Sequence, residues 1–311
     1  MFDASRARKR QREKEKKMIE KTDFQAYENC LRLSNGEVDL IVSTDFGPRI
    51  LFYGLTGGEN LLGLHPQARV ETEIGVWRPY GGHRLWMAPE NMPLSYAPDN
   101  GPVEVAEENE FAARFLAPTE SAAQIQKEIH VVLSETGTEA TLDHRITNRS
   151  DSPIEIAAWA LTIMRPGGAA VVPHEPFAPY GPETLLPVRT MTLWPYSDFT
   201  DPRWQFEKNY IRLRTDENLA SAQKFGALNR RGWAAYEWEN LLFVKRFDFI
   251  DNAPYPDMNS NTEIYTAGSF VEVESLSPLI KLQPHDSIVH TERWELLRDA
   301  RVEDLIEKEG N

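Results

Sequence analysis

Apolar and polar residues alternate with period two in IQKEIHVVLSE (125–135) and EATLDHRITN (139–148), and clusters of Gly, Pro, Asn, Asp and Ser interrupt the pattern. Alternation sends successive side chains to opposite faces, the mark of a strand with one face buried. Strand-like runs recur at 49–55, 110–117, 154–164, 190–196, 209–214, 232–247, 270–276 and 287–297. In CLRLSNGEVDLIV (30–42) they lie on both sides of Asn35-Gly36, a pair that supplies the positive φ angles of a tight hairpin. Helical windows are few: the N-terminal arm, 217–223 and 302–308. The expectation is an all-β fold, a large antiparallel sandwich of two sheets with few short helices.

The 311 residues fit one such domain over 23–300, with a basic arm at 1–22, helical or disordered, and a tail or short helix at 301–311. Residues 6–17 hold eight Lys or Arg against Glu13 and Glu15, a local +6, so the rest carries −20 of the net −14. A body of that sign repels phosphates, and nucleic acid is not an expected partner. Cys30 is the only cysteine, which rules out an intrachain disulfide and a thiolate cluster. No cofactor and no metal are expected. The first twenty residues lack an apolar leader and no run approaches eighteen apolar residues, so the expected location is cytoplasmic, without a membrane. The sequence leaves the oligomeric state open.

Two long segments, 78–102 and 165–188, are rich in Pro and Gly and are expected to be functional loops. The first opens with RPYGGHRLWMAPE (78–90), where paired glycines sit among flat, titratable and charged side chains. In 251–266, Asp257, Asn259, Asn261 and Glu263 alternate with a spacing that resembles a calcium loop, but Thr262 stands where its glycine would be. A turn rich in Asn and Asp is the better reading.

Four stretches carry a family resemblance: TDFGPRILFYGLTGGENLL (44–62), HRITNRSDSPIEIAAWALTIMRPGG (144–168), LWPYSDFTDPRW (193–204) and FVEVESLSPLIKLQPHDSIVHTERWELL (270–297). In order and spacing the chain resembles the aldose 1-epimerase (galactose mutarotase-like) superfamily, and within it the proteins of the DUF4380 type. The resemblance implies a β-supersandwich with a carbohydrate pocket on the concave face of its larger sheet. It also implies isomerase chemistry at an anomeric carbon, with a glutamate base and a histidine acid.

The matching late strand is FVEVES, where Glu272 and Glu274 share one face and Glu274 fits the family position slightly better. The family histidine has no counterpart, because its slot falls in AAWALT (157–162), at or beside Trp159. Two loop histidines, His83 and His174, are the expected substitutes, and His65, His130, His144, His285 and His290 read as structural. Arg84, Trp86 and Glu90 offer a sugar a bidentate donor, a ring face and a carboxylate, although Trp86 could equally be core. Arg84 with Lys245 would favour an acidic sugar, and Glu263 is a third carboxylate for the pocket. The expected ligand is a sugar or sugar acid. Without the family histidine, a non-catalytic sugar-binding or sensing protein stands as the alternative to the enzyme.

Overall fold

The computed structural model describes residues 18–309. The expected basic arm lies outside them up to residue 17, but its last residues enter the strand Ile19–Phe24, which pairs with Tyr27–Ser34. Val302–Glu309 forms the expected C-terminal helix.

The architecture is the anticipated all-β sandwich, an 11-stranded and a 10-stranded antiparallel sheet packed face to face. In the larger sheet, Arg49–Leu55 is followed in space by His83–Ala88, Ile154–Met164, Phe270–Leu276, Thr262–Ala267, Ala222–Ala227 and the edge strand Met191–Leu193. The smaller sheet has Ala140–Asn148, Ser287–Arg298 and Leu241–Phe247 as neighbours at its centre.

Pattern explains placement. Ile125–Leu133 buries strictly alternate residues, so one face meets the core and the other solvent. His83–Ala88 is buried at all six positions and Ile154–Met164 at nine in succession, because core covers one face and a cavity wall the other. Such a strand has no polar face, and so 78–102, read as a loop, contains a central strand. The 217–223 window likewise gives way to Ala222–Ala227, whose pairing with Thr262–Ala267 overrides a weak helical preference.

Between the sheets, Tyr53, Phe243 and Trp294 pack edge to face with centroids 5.2–5.9 Å apart. Burying each such ring stabilises the fold by about 1.5–3 kcal/mol. A polar chain crosses the same layer. His144 Nδ1 must donate to the backbone carbonyl of His290 at 2.9 Å, because a carbonyl only accepts. Burial lowers the pKa of His144 and His83, and a neutral His144 then accepts at Nε2 from His83 Nε2–H at 2.6 Å. His83 Nδ1 in turn accepts from the Thr162 hydroxyl at 2.8 Å. Ser275 links His290 to Glu292, 2.6 Å from each, and Lys245 sits 2.8 Å from Glu292.

This layer corrects two expectations. His83 and Lys245 are fully buried between the sheets, His83 on the face of its strand away from the cavity and Lys245 on the smaller sheet, because each strand sends alternate residues inward. Ligand-type atoms of His83, His144 and Glu292 lie within 4.8 Å of one another, yet hydrogen bonds already occupy both nitrogens of each ring.

Candidate functional site

The other face of the larger sheet carries the site. Pairing registers set Trp86 opposite Trp159, Leu161 opposite both Arg84 and Glu274, Ile163 opposite Glu272, Glu263 opposite Glu274, and Tyr265 opposite Glu272 and Lys224. Five adjacent strands thus contribute one continuous surface, the floor of a cavity of about 520 Å³. That size lies within the roughly 300–1,000 Å³ of small-ligand sites.

Gly81 and Gly82 shape the rim. Their φ angles are +92° and +70°, and a Cβ would come within 2.3 Å of Gly63 O at the first and 2.0 Å of Ile50 O at the second. Only glycine lets the chain turn here and enter the sheet as His83–Ala88. Arg49, fully buried, fastens the segment from beneath by donating to Pro79 O at 2.8 Å and to Asp99 at 2.6 Å.

Aromatic rings form one wall. Trp86 packs against Trp77, Tyr96 and Trp159 with centroids 4.8–5.4 Å apart, and all four line the cavity. The two readings of Trp86 therefore hold together: it is 4% exposed and belongs to a packed cluster, and it also faces the cavity. Arg84 lies 4.5 Å above the Trp86 ring and pairs with Glu272 at 3.0 Å, not with Glu90. Its Nε and Nη1 have no hydrogen-bond partner of suitable geometry. Glu90 also lines the cavity and accepts from the Tyr96 hydroxyl at 2.5 Å.

The carboxylates occupy two depths. Glu272 lines the cavity, whereas Glu274 and Glu263 are fully buried beneath Lys224. The Lys224 ammonium lies 2.7 Å from Glu263 and 3.6 Å from Glu274, and 4.7 Å over the Trp159 ring. Trp159, at or beside the slot of the family histidine, donates its indole N–H to Glu274 at 2.8 Å. Burial raises the pKa of Glu274 to about 7, with Lys224 pulling it down and Glu272 pushing it up. Burial also holds Glu263 well above the usual carboxylate range.

His174, an expected acid, borders a separate depression with Phe177, Lys208 and Arg231. The histidine in the cavity is His65, which the sequence reading set aside as structural. It sits on the short strand Leu64–His65, paired with Tyr80–Gly81, and its ring meets Phe270 at 5.0 Å. Its Nε2 is buried without a hydrogen-bond partner among the described residues. Burial lowers its pKa, Glu272 opposes that shift and Arg84 adds to it, which sets His65 in the electrostatic field of the Arg84–Glu272 pair. Lys224, Tyr265, Trp77 and Tyr96 were also missed. The one available signal was alternation in AQKFGA and TEIYTA, which puts Lys224, Glu263 and Tyr265 on a common face once the strands pair.

The calcium-like spacing dissolves in three dimensions. Asn259 Oδ1 accepts from Tyr255 N and Asn261 Oδ1 from Asn229 N, in a turn with Asp257, Met258 and Asn259 at positive φ.

Comparison with solved structures decides the fold. A protein described as a candidate aldose 1-epimerase, from Escherichia coli K12, superposes with a TM-score of 0.55 at 12% identity, covering 87% of this chain and 99% of that one. The chain has the galactose mutarotase-like fold. A galactose mutarotase-like protein from Lactobacillus casei gives a TM-score of 0.53 at 10% identity, over 86% and 100% of the two chains. A candidate mutarotase from Salmonella typhimurium gives 0.57 at 11%, over 90% and 94%. No family model matches the chain and no curated protein matches it, so the narrower DUF4380 resemblance gains no support. Identities this low carry the mutarotase-like architecture only. Among the described residues, no helix is long and apolar enough to cross a membrane.

Proposed function

We propose that the chain binds a monosaccharide in this cavity and exchanges its anomers, with Glu272 and His65 as the proton-transfer pair. One observation carries the proposal: a carboxylate and a histidine with a free ring nitrogen line the same aromatic-walled cavity. Glu272 replaces the initial preference for Glu274, because the latter lies buried behind Trp159 and Lys224. In the mechanism, Glu272 takes the proton of the anomeric hydroxyl. The bond from C1 to the ring oxygen breaks as the carbonyl forms, and the ring oxygen takes a proton from His65. Rotation about C1–C2 and reclosure by the reverse steps give the other anomer. Arg84 holds Glu272 in place. The Trp86 and Trp77 rings receive the C–H face of the sugar.

One observation favours the non-catalytic alternative. Trp159, not a histidine, is the side chain that bonds the family-position glutamate. Saturation-transfer NMR across neutral and acidic aldoses tests the binding half shared by both readings. Transfer to the C–H protons of at least one sugar is expected, with loss in Arg84→Gln. Absence of transfer to every sugar would remove both readings.

A further inference from the structure

Among the described residues, the run of chain from 174 to 193 gathers many of the exposed large apolar side chains. It leaves Pro173, the end of the strand Ala169–Pro173, crosses the surface without regular structure and enters the edge strand Met191–Leu193. Phe177 is 51% exposed, Tyr180 91%, Leu185 65%, Leu186 81% and Val188 53%. Met191 and Leu193, at 37% and 44%, continue the apolar surface onto the edge strand. Isolated exposed apolar residues are ordinary, but seven within seventeen positions are not.

We infer that this strap and its edge strand form the interface of a homodimer, the partner being a second copy of the same chain. Area is the first argument. Taking about 150–250 Å² for a large side chain, seven at these exposures present on the order of 700 Å² of apolar surface. Phe177, Leu185, Leu186 and Val188 line one shared depression, and the summed area approaches the about 800 Å² per partner of a standard interface.

Charge is the second argument. The twenty residues 174–193 contain only Glu175, Glu183 and Arg189 as formal charges, in a chain of net −14. Lys208 over the Phe177 ring and Arg230 against Val188 O add two cations to this face, so two copies of so acidic a body approach across it with least repulsion.

Backbone geometry is the third. Met191–Leu193 ends the order of the larger sheet and, among the described residues, pairs only with Ala222–Ala227, so its outer N–H and C=O groups face outward. An antiparallel edge is self-complementary about a two-fold axis, which sets each strap against the other copy and closes the assembly at two. Pro176, Pro179, Pro182 and Pro187 limit the conformations the strap loses on association. None of the seven apolar residues lines the sugar cavity, so the dimer stands or falls independently of the proposed activity.

Sedimentation velocity on the full chain tests the assignment. At micromolar concentration the wild type should run at twice its 35.6 kDa. The double variant Leu185→Glu, Leu186→Glu should dissociate at least tenfold more readily and run at the monomer mass. Both sites are exposed, so an unchanged far-UV circular dichroism spectrum and melting profile in dilute solution should show that the variant is folded. A second variant, Tyr180→Glu, should shift the equilibrium in the same direction. A wild type that stays monomeric into the high micromolar range overturns the proposal, as does a folded double variant that remains dimeric.

Discussion

Glu263 and Glu274 stand directly opposite each other on neighbouring strands, both fully buried, with the single ammonium of Lys224 against them. One positive charge cannot neutralise two buried carboxylates, so the pair retains a proton. Burial pushes Glu274 up to about 7 in the folded chain from the ordinary value of about 4.5, and Glu263 shifts in the same direction. Between those pH values the folded state holds a proton that the unfolded chain releases, so the pair's contribution is full below about 4.5 and declines as pH rises to about 7. Glu274→Gln should remove Glu274's share of that decline, on the order of 3 kcal/mol across the window. Melting temperature against pH for both proteins checks it. A wild type that gains stability relative to the variant over this window would contradict the shared proton.

His65 supplies the second prediction. Burial lowers its pKa below the usual 6.5, so its protonated share falls before neutrality and anomer exchange should be fastest on the acid side. His65→Gln should slow exchange roughly 10²–10⁴-fold while sparing sugar affinity and thermal stability. Rates between about pH 5 and 8 make the comparison; an alkaline optimum unaltered in the variant would rule His65 out.

Trp86 is packed against three other rings, and truncating it leaves a cavity that the sheet cannot close. Trp86→Ala should destabilise the fold by about 3–5 kcal/mol and also weaken sugar binding. Chemical denaturation measures the first effect. A loss under about 1 kcal/mol would mean that the ring contributes to the ligand alone.

Lys245, once a candidate for the sugar, neutralises Glu292 inside the sandwich. Lys245→Met should cost about 3–5 kcal/mol by stranding a buried carboxylate, with sugar affinity per folded molecule unchanged. Titration at a temperature where the variant is folded separates the two; a large drop in affinity would return Lys245 to the site.

Alternation made the fold legible, because strands such as Ile125–Leu133 have one solvent face and print a period of two. His83–Ala88 escaped because both its faces are covered, so the strand that carries Arg84 and Trp86 reads as an aromatic loop. The same blindness misassigned His83. Without knowing that a strand was present, nothing distinguished its inward His83 from its outward Arg84. The late-strand glutamates were found through the family resemblance, but their depths follow from what lies above them, Lys224 and Trp159 for Glu274 and open cavity for Glu272. His65 carries no motif at all. It reaches the cavity because a two-residue strand pairs with Tyr80–Gly81 across 15 positions of sequence, a contact no local pattern encodes.

Two-dimensional exchange NMR of α and β anomers, across a panel of neutral and acidic aldoses, tests the proposed chemistry most directly. The wild type should accelerate interconversion of at least one sugar, and Glu272→Gln should reduce that rate roughly 10²–10⁴-fold while retaining binding. Catalysis unchanged in Glu272→Gln, or a wild type that binds a sugar and accelerates none, would contradict anomer exchange at this site.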